Sequence, residues 1–382
     1  MTDWIMIILF WLSAGTLLYT FIGYPLLLGG LARYCPRPWR SAPPDEWPSV
    51  TVVIAVHNEE PYIRDRILNL FNSHYPSDRL TVMAVSDGST DPTVSILREL
   101  QAKHAHLIVL EQARRSGKAA CLNTALEHVQ DDLIVLTDAR QRFDPHTVET
   151  LVAAFAEPSV GAVSGALCIA PSRQPVGAGL DAYWQFEKWL RLQESRVDSC
   201  LGCTGAVYAI RRALYRPIPE DTLIDDVVIP MTIAAQGYRV VFETQATAHD
   251  PVPLDPDKEF RRKRRTLAGN YQMLFRHPAW ACPGGHRLWW CLVSHKYLRL
   301  AAPFFLIGLA GASMLLADAL AYRICLILQA AFYSLAVLGT VLPPPRPRLL
   351  SWASGFVFLN GMGLLGFWDY LARTYREGWR HE

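Results

Sequence analysis

Charge is what this sequence is short of. Asp, Glu, Lys and Arg make up 19% of its 382 residues, against about 25% in an ordinary soluble protein. The shortage is local. No charged residue stands between Asp3 and Arg33, a gap of 29 residues, and gaps of 18, 22 and 20 residues follow at 300–317, 324–345 and 349–368. The rest of the chain carries all 72 charges, at the density of a soluble protein. This distribution excludes a disordered chain, a wholly soluble enzyme and a many-helix transporter. It describes a soluble-type body set between membrane segments.

Other absences narrow the reading. The eight cysteines have no disulfide-framework spacing, and a cytosolic body keeps them reduced. Cys200-Leu-Gly-Cys203 is a lone CxxC, without the two further ligands a zinc site needs. There is no GxGxxG and no Walker A pattern, which excludes a dinucleotide fold and a P-loop. The net charge of +2 gives no ground for a nucleic-acid partner. No repeat or low-complexity run is present.

A helix of about 20 apolar residues crosses the hydrocarbon core, so each gap is long enough or nearly so. Residues 4–32 read as a retained anchor. Asp3 and the lack of Lys or Arg ahead of the run argue against a cleaved signal peptide. Positive charge stays in the cytoplasm. Arg33, Arg37 and Arg40 after the first helix, and Lys296 and Arg299 before the second, place the body in the cytosol. Arg346 and Arg348 place the third–fourth connection there too. A fourth full span then leaves Arg373, Arg376 and Arg380 outside. Segment 349–368 is therefore either re-entrant or an exception to the charge rule.

Within the body, 50–56 (VTVVIAV) reads as a short buried strand. Similar runs recur at 80–85, 107–110, 133–137 and 160–164 with helical patterns between them. The spacing suits strand–helix–strand units and a parallel sheet. Ligands of such sheets bind beyond the carboxyl ends of the strands. There stand His57-Asn58-Glu59-Glu60, then Ser86-Asp87-Gly88-Ser89-Thr90-Asp91, then Asp138-Ala139-Arg140. Singly these are turn and cap residues. Together they put carboxylates from three strand ends on one edge, which points to a nucleotide site. Lys118, opening the next helical pattern, is a candidate phosphate ligand.

These residues resemble those of membrane-embedded, processive family 2 glycosyltransferases, which include hyaluronan, cellulose, chitin-oligosaccharide and poly-N-acetylglucosamine synthases. The likeness covers roughly residues 50–300. Ile54–Glu59 is similar to the family's opening Asn-Glu element, and Asp87 to its uridine-contacting acid. Gly117-Lys118-Ala119-Ala120 is similar to its lysine motif, and Asp138 to the first acid of its DxD element. Cys203-Thr204-Gly205-Ala206 resembles the motif that receives the acceptor sugar. Asp225-Asp226, eleven residues before Gly237-Tyr238-Arg239, sits where the family has its Thr-Glu-Asp motif. Arg262-Lys263-Arg264-Arg265-Thr266 resembles its basic motif near the diphosphate.

The resemblance implies an α/β fold of GT-A type, a Rossmann-like, mostly parallel cytosolic domain flanked by transmembrane helices. It divides the chain into a membrane helix at 1–34, a connector at 35–49, a glycosyltransferase domain at 50–275, an interface region at 276–299 and a membrane region at 300–382 with about three helices. It implies an inverting hexosyltransferase in the cell membrane that uses a UDP-sugar to elongate a polysaccharide and helps it across the bilayer. The alternative is transfer of one sugar to a membrane lipid, and a more distant one is an inactive nucleotide sensor. Donor binding falls to Asn58, Glu59, Asp87, Lys118, Asp138, Arg140, Arg262 and Arg265. Acceptor binding falls to Cys203, Thr204, Gly205 and Asp225, general-base catalysis to Asp226, and Mg²⁺ or Mn²⁺ to Asp138. Two departures stand out. Arg140 replaces the second acid of DxD, so it cannot ligate a metal and is placed to meet the diphosphate itself. Thr266 replaces the tryptophan of the basic motif, and Trp184 and Trp189 are other candidates for sugar contacts.

Overall fold

The computed structural model describes residues 2–169, 177–250, 256–342 and 347–374. Arg346, Arg376 and Arg380, used above for topology, lie outside these. The chain opens with α1 (Thr2–Leu18) and α2 (Tyr24–Tyr34), joined through a wider turn of helix at Tyr19–Gly23. The body then alternates: β1 (Val50–Val56), α3 (Glu60–Phe71), β2 (Leu80–Asp87), α4 (Thr93–Gln101), β3 (Leu107–Gln112), α5 (Lys118–His128) and β4 (Leu133–Thr137). After it come β5 (Arg142–Phe143), α6 (Thr147–Ala153), β6 (Val160–Cys168), α7 (Gly177–Val197), β7 (Tyr208–Arg211), α8 (Asp225–Ala235) and β8 (Arg239–His249). Five helices follow or close the chain: α9 (Pro256–Arg276), α10 (Trp289–Cys291), α11 (Leu298–Leu315), α12 (Leu320–Val341) and α13 (Arg348–Ala372).

The strands form one eight-stranded sheet in the order β3-β2-β1-β4-β7-β6-β8-β5. β1 pairs in parallel with β2 (Val56 opposite Ser86) and with β4 (Ile54 opposite Thr137). This register brings the carboxyl ends of the three strands to one edge. β1 and β4 are buried along nearly their whole length, which their continuous apolar, β-branched runs require. α3 covers β1 and β2 with Ile63, Ile67 and Leu70, all fully buried, each burial contributing about 2 kcal/mol. The run at 160–164 does become a strand, but not the parallel neighbour of β4. β7 lies between them, antiparallel to both. Its four residues follow a tight turn closed by a Thr204–Val207 bridge, too short a run to carry a period of its own.

The chain divides into two compact units. One holds the described residues of 35–170 and 191–254, with the whole sheet. The other holds those of 1–34, 171–190 and 255–374. Residues 256–275, expected with the sheet, group with the apolar helices. Four helical stretches in that second unit are long and apolar enough to cross a membrane: Asp3–Tyr34, Trp289–Leu315, Leu320–Val341 and Arg348–Ala372.

Candidate active site

The sheet edge is built first from backbone. Two residues beyond β1, Asn58 adopts a left-handed conformation at φ 53°, one that asparagine tolerates. Its Oδ1 accepts the Thr90 N–H at 2.8 Å, and the Glu59 N–H donates to Thr93 Oγ1 at 2.8 Å. These bonds clamp the end of β1 to the loop after β2. In that loop Gly88 has φ +61°, and a Cβ there would lie 2.7 Å from the Arg115 amide nitrogen. The close approach of the 114–117 loop depends on its being glycine. Asp87, 2% exposed, accepts from the Ser116 N–H at 2.6 Å and the Gly117 N–H at 2.9 Å, one on each oxygen. It thereby fixes the loop that leads into α5.

Lys118, first residue of α5, sits among acids. Its Nζ lies 2.8 Å from Asp138 Oδ1 and 3.3 Å from Asp225 Oδ2. Burial pulls its ammonium down, but Asp138, Asp225 and Asp226 outweigh it and hold the group above the ordinary lysine range. Glu59 is affected in the opposite sense. Burial raises its carboxyl to about 7, Asp138 and Asp91 add to the rise, and Arg140 opposes it. Arg140 is clamped by Asp250 at the end of β8, with Nε–Oδ1 at 3.0 Å and Nη2–Oδ2 at 2.9 Å. The cation in place of the second DxD acid is thus tied to an acid from another strand.

The acceptor-side residues meet α8. The Cys203 N–H donates to the Asp226 carbonyl at 2.7 Å. A Cβ on Gly205 would stand 3.2 Å from Asp226 Oδ2, so the Thr204-Gly205 backbone lies against the Asp226 carboxylate. Thr204 is held by Arg191 Nη1 at 2.8 Å, and Arg191 Nη2 reaches the Gly202 carbonyl at 3.1 Å. Asp225 and Asp226 occupy the first turn of α8, where the helix dipole favours negative charge. Cys203 is buried, and burial pushes its thiol well up, which gives no support to a reactive CxxC.

One sheet edge therefore gathers Asn58, Glu59, Asp87, Lys118, Asp138, Arg140, Cys203, Thr204, Gly205, Asp225 and Asp226. Arg262 and Arg265 lie on α9 in the other unit. There it is their neighbour Arg264 that holds Asp369, with Nε–Oδ2 at 2.8 Å. Trp189 packs its ring 3.4 Å from the Gly29 Cβ position, also in that unit. Three residues of the sheet unit were not anticipated. Asp250 is an acid at a strand end. Arg191 follows the aromatic face of α7. Arg66 is a lone cation inside the apolar stripe Ile63–Ile67–Leu70, a signal the helical period does contain.

Among the described residues no three His, Cys, Asp or Glu side chains converge as a metal cage. Mg²⁺ and Mn²⁺ sites that use substrate phosphates need one or two carboxylates. Asp138, with 42% of its side chain exposed, supplies one. The donor set fits an ion shared with a diphosphate.

Comparison with known proteins agrees with the fold. Residues 51–217 match Glycosyl transferase family 2. The β-monoglucosyldiacylglycerol synthase of Synechocystis is 26% identical over 247 residues, covering 62% of this chain and 50% of that protein. The poly-β-1,6-N-acetyl-D-glucosamine synthase of Staphylococcus aureus is 23% identical over 250 residues, covering 61% and 57%. The chain spans about half the length of these curated relatives. A solved structure, the mannosyltransferase PcManGT from Pyrobaculum calidifontis in complex with GDP-Man and Mn²⁺, superposes with a TM-score of 0.72 at 26% identity, over 97% of this chain and 99% of that one. The chain carries a family 2 glycosyltransferase domain of the GT-A type.

Proposed function

We propose that the protein is an inverting, membrane-associated glycosyltransferase that moves a sugar from a nucleotide diphosphate donor to a membrane-borne lipid. The observation that supports it most is the convergence of Lys118, Asp138, Asp225 and the Gly205–Asp226 contact at one sheet edge. The donor faces the Asp138 side. Asp87 fixes the loop before α5 and lines the uridine or guanosine end, and Asn58 and Glu59 close the edge. Lys118 and Arg140 meet the diphosphate. A divalent ion at Asp138, when bound, neutralises charge on the leaving diphosphate. Lys118 and Arg140 act in the same sense with charge fixed in advance.

Asp226 takes the proton of the acceptor hydroxyl as that oxygen attacks the anomeric carbon, a contribution of about 10²–10⁴ in rate. Cys203, Thr204 and Gly205 hold the acceptor beside it. Asp225, paired with Lys118, keeps negative charge next to the base. Direct attack with one base inverts the anomeric centre. The likeness to a β-monoglucosyldiacylglycerol synthase favours transfer of one sugar to a lipid. A second reading, elongation of a polysaccharide from a UDP-sugar, is favoured by the Cys203-Thr204-Gly205 motif and the likeness to a poly-N-acetylglucosamine synthase.

Incubation of the purified protein in lipid with UDP-glucose, UDP-N-acetylglucosamine and GDP-mannose, followed by product analysis, separates the readings. A lipid bearing one sugar supports the first. A polymer replaces it with the second, and donor turnover unchanged in Asp226→Asn removes the base assignment.

A further inference from the structure

α3 turns Ile63, Ile67 and Leu70 to the core, and Arg66 stands in the same stripe with 1% of its surface exposed. Its Nη1 donates to Asn69 Oδ1 at 2.8 Å and its Nη2 to Thr137 Oγ1 at 2.7 Å. Its guanidinium lies 4.2 Å over the Phe143 ring. Among the described residues no carboxylate pairs with it, and its Nε has no hydrogen-bond partner. Burial lowers the guanidinium to about 9, against the pull of Asp138. A buried cation without an ion-pair partner is costly to keep. What this one provides is orientation.

Thr137 ends β4 and precedes Asp138. Because its hydroxyl accepts from Arg66, its own hydrogen is free to donate, and it does so to the Ala206 carbonyl at 2.6 Å. Ala206 closes the Cys203-Thr204-Gly205 stretch, whose Gly205 abuts the Asp226 carboxylate. Asn69, in turn, accepts the Phe143 N–H at 2.8 Å and donates to the Phe143 carbonyl at 3.0 Å. The relay Asn69–Arg66–Thr137–Ala206 therefore runs beneath the donor-side turn and ends under the acceptor-side turn.

We propose that Arg66 is a positioning residue for glycosyl transfer: acting through Thr137, it sets the spacing between the Asp138 turn and the 203–206 turn. It touches neither substrate. The inference rests on the site reading above, in which the first turn serves the donor and the second the acceptor and base. Disturbing the relay shifts one half-site against the other, and a misplacement of about 1 Å costs up to about 100-fold in rate. Donor binding, built within one half, is spared.

The test uses the full-length protein in detergent with Arg66→Met, Arg66→Lys, Thr137→Val and the Arg66→Met/Thr137→Val double variant. UDP and GDP binding with Mn²⁺ is measured by calorimetry. Sugar transfer and acceptor-free donor hydrolysis are measured with whichever donor is active. Thr137→Val should keep nucleotide affinity within about threefold, lower transfer about 10- to 100-fold, and retain hydrolysis. Arg66→Met should do the same, Arg66→Lys should recover part of the loss, and the double variant should be no worse than Arg66→Met, as expected for one shared relay. Wild-type transfer by Thr137→Val, equal loss of transfer and hydrolysis, or multiplied losses in the double variant overturns the proposal. If Arg66→Met does not fold, Thr137→Val decides alone, since it removes one hydroxyl and keeps the shape. Asp226→Asn serves as the control for the site reading: turnover retained there rejects that reading, whatever the relay variants do.

Discussion

At Glu59 the protein keeps a carboxyl that resists ionisation. Burial raises it to about 7, from 4.5 in an unperturbed glutamate. The folded form therefore holds the proton more tightly than the unfolded chain. The stability this contributes is fully present below pH 4.5 and is lost as pH rises through 7. Glu59→Gln, which keeps the shape and cannot ionise, should match the wild type near pH 4 and become the more stable of the two by pH 8. Thermal melting at both values checks it, and a difference that does not change with pH refutes it. The Arg140–Asp250 pair makes a different demand. Asp250 has 5% of its side chain exposed and Arg140 21%, so Asp250→Asn strands a mostly buried cation. A loss of about 3 kcal/mol is expected, readable by denaturant unfolding, with recovery in Arg140→Met/Asp250→Leu. At Gly205 the effect is on turnover. Alanine there brings a methyl within 3.2 Å of Asp226 Oδ2, so Gly205→Ala should lower transfer while nucleotide affinity holds.

Elements declare themselves when their residues have one job. β1 and β4 were legible to the residue, because strands covered on both faces are continuous apolar runs and end where the polar site begins. That Asn58, Asp87 and Asp138 share one sheet edge was legible for the same reason. β5, with two residues, and β7, with four, are shorter than any period. β8 mixes apolar and polar positions (burial falls away at Glu243–Gln245), so its role as the carrier of Asp250 was hidden. Arg66 escaped because a basic residue on a helix is ordinarily solvated, and only its place among Ile63, Ile67 and Leu70 says otherwise. The helix pair α9–α13 is another case. Gly366 lets α13 approach so closely that a Cβ would stand 2.7 Å from Leu267 Cβ. Tyr271 meets Phe367 and Phe275 stacks on Tyr370 along the same seam. Gly366→Leu should force the two helices apart and lower the melting temperature in detergent, while Gly361→Leu, where a Cβ meets nothing within 4 Å, should not.

At the scale of the whole molecule the charge-poor segments pose a parity problem, and the contacts of α13 lead to a prediction. Four full spans would carry the end of α13 to the face opposite Arg33. α1 and α11 pack together, with Gly308 of α11 against Leu9 and Ser13 of α1; Phe10 of α1 meets Tyr322 of α12, and both Phe21, in the wider turn after α1, and Phe332 of α12 meet Phe356 of α13. α13 starts beside the end of α12, where Gly339 meets the Leu350 carbonyl. Its last turns do not continue outward. Phe367 packs on Phe304 and Tyr271, Tyr271 donates to the Leu300 carbonyl at 3.0 Å, and Asp369 binds Arg264. Leu300 and Phe304 lie within two turns of Arg299, the basic entry to the α11 span. α9 also carries five consecutive basic residues at 261–265, which cannot lie in lipid-exposed hydrocarbon without a cost of about 3 kcal/mol each. If α1–α2, α11 and α12 cross a bilayer, these contacts return the end of α13 to the side of Arg33, and three spans are predicted. Arg373 would then fall where the positive-inside rule puts it. The prediction is read by labelling single cysteines in intact cells with an impermeant maleimide. Cysteine at Asp318, between α11 and α12, should react from outside. Cysteine at Thr374 should react only after the membrane is opened, as should the exposed native Cys35. Labelling of Thr374→Cys in unbroken cells would restore the fourth span.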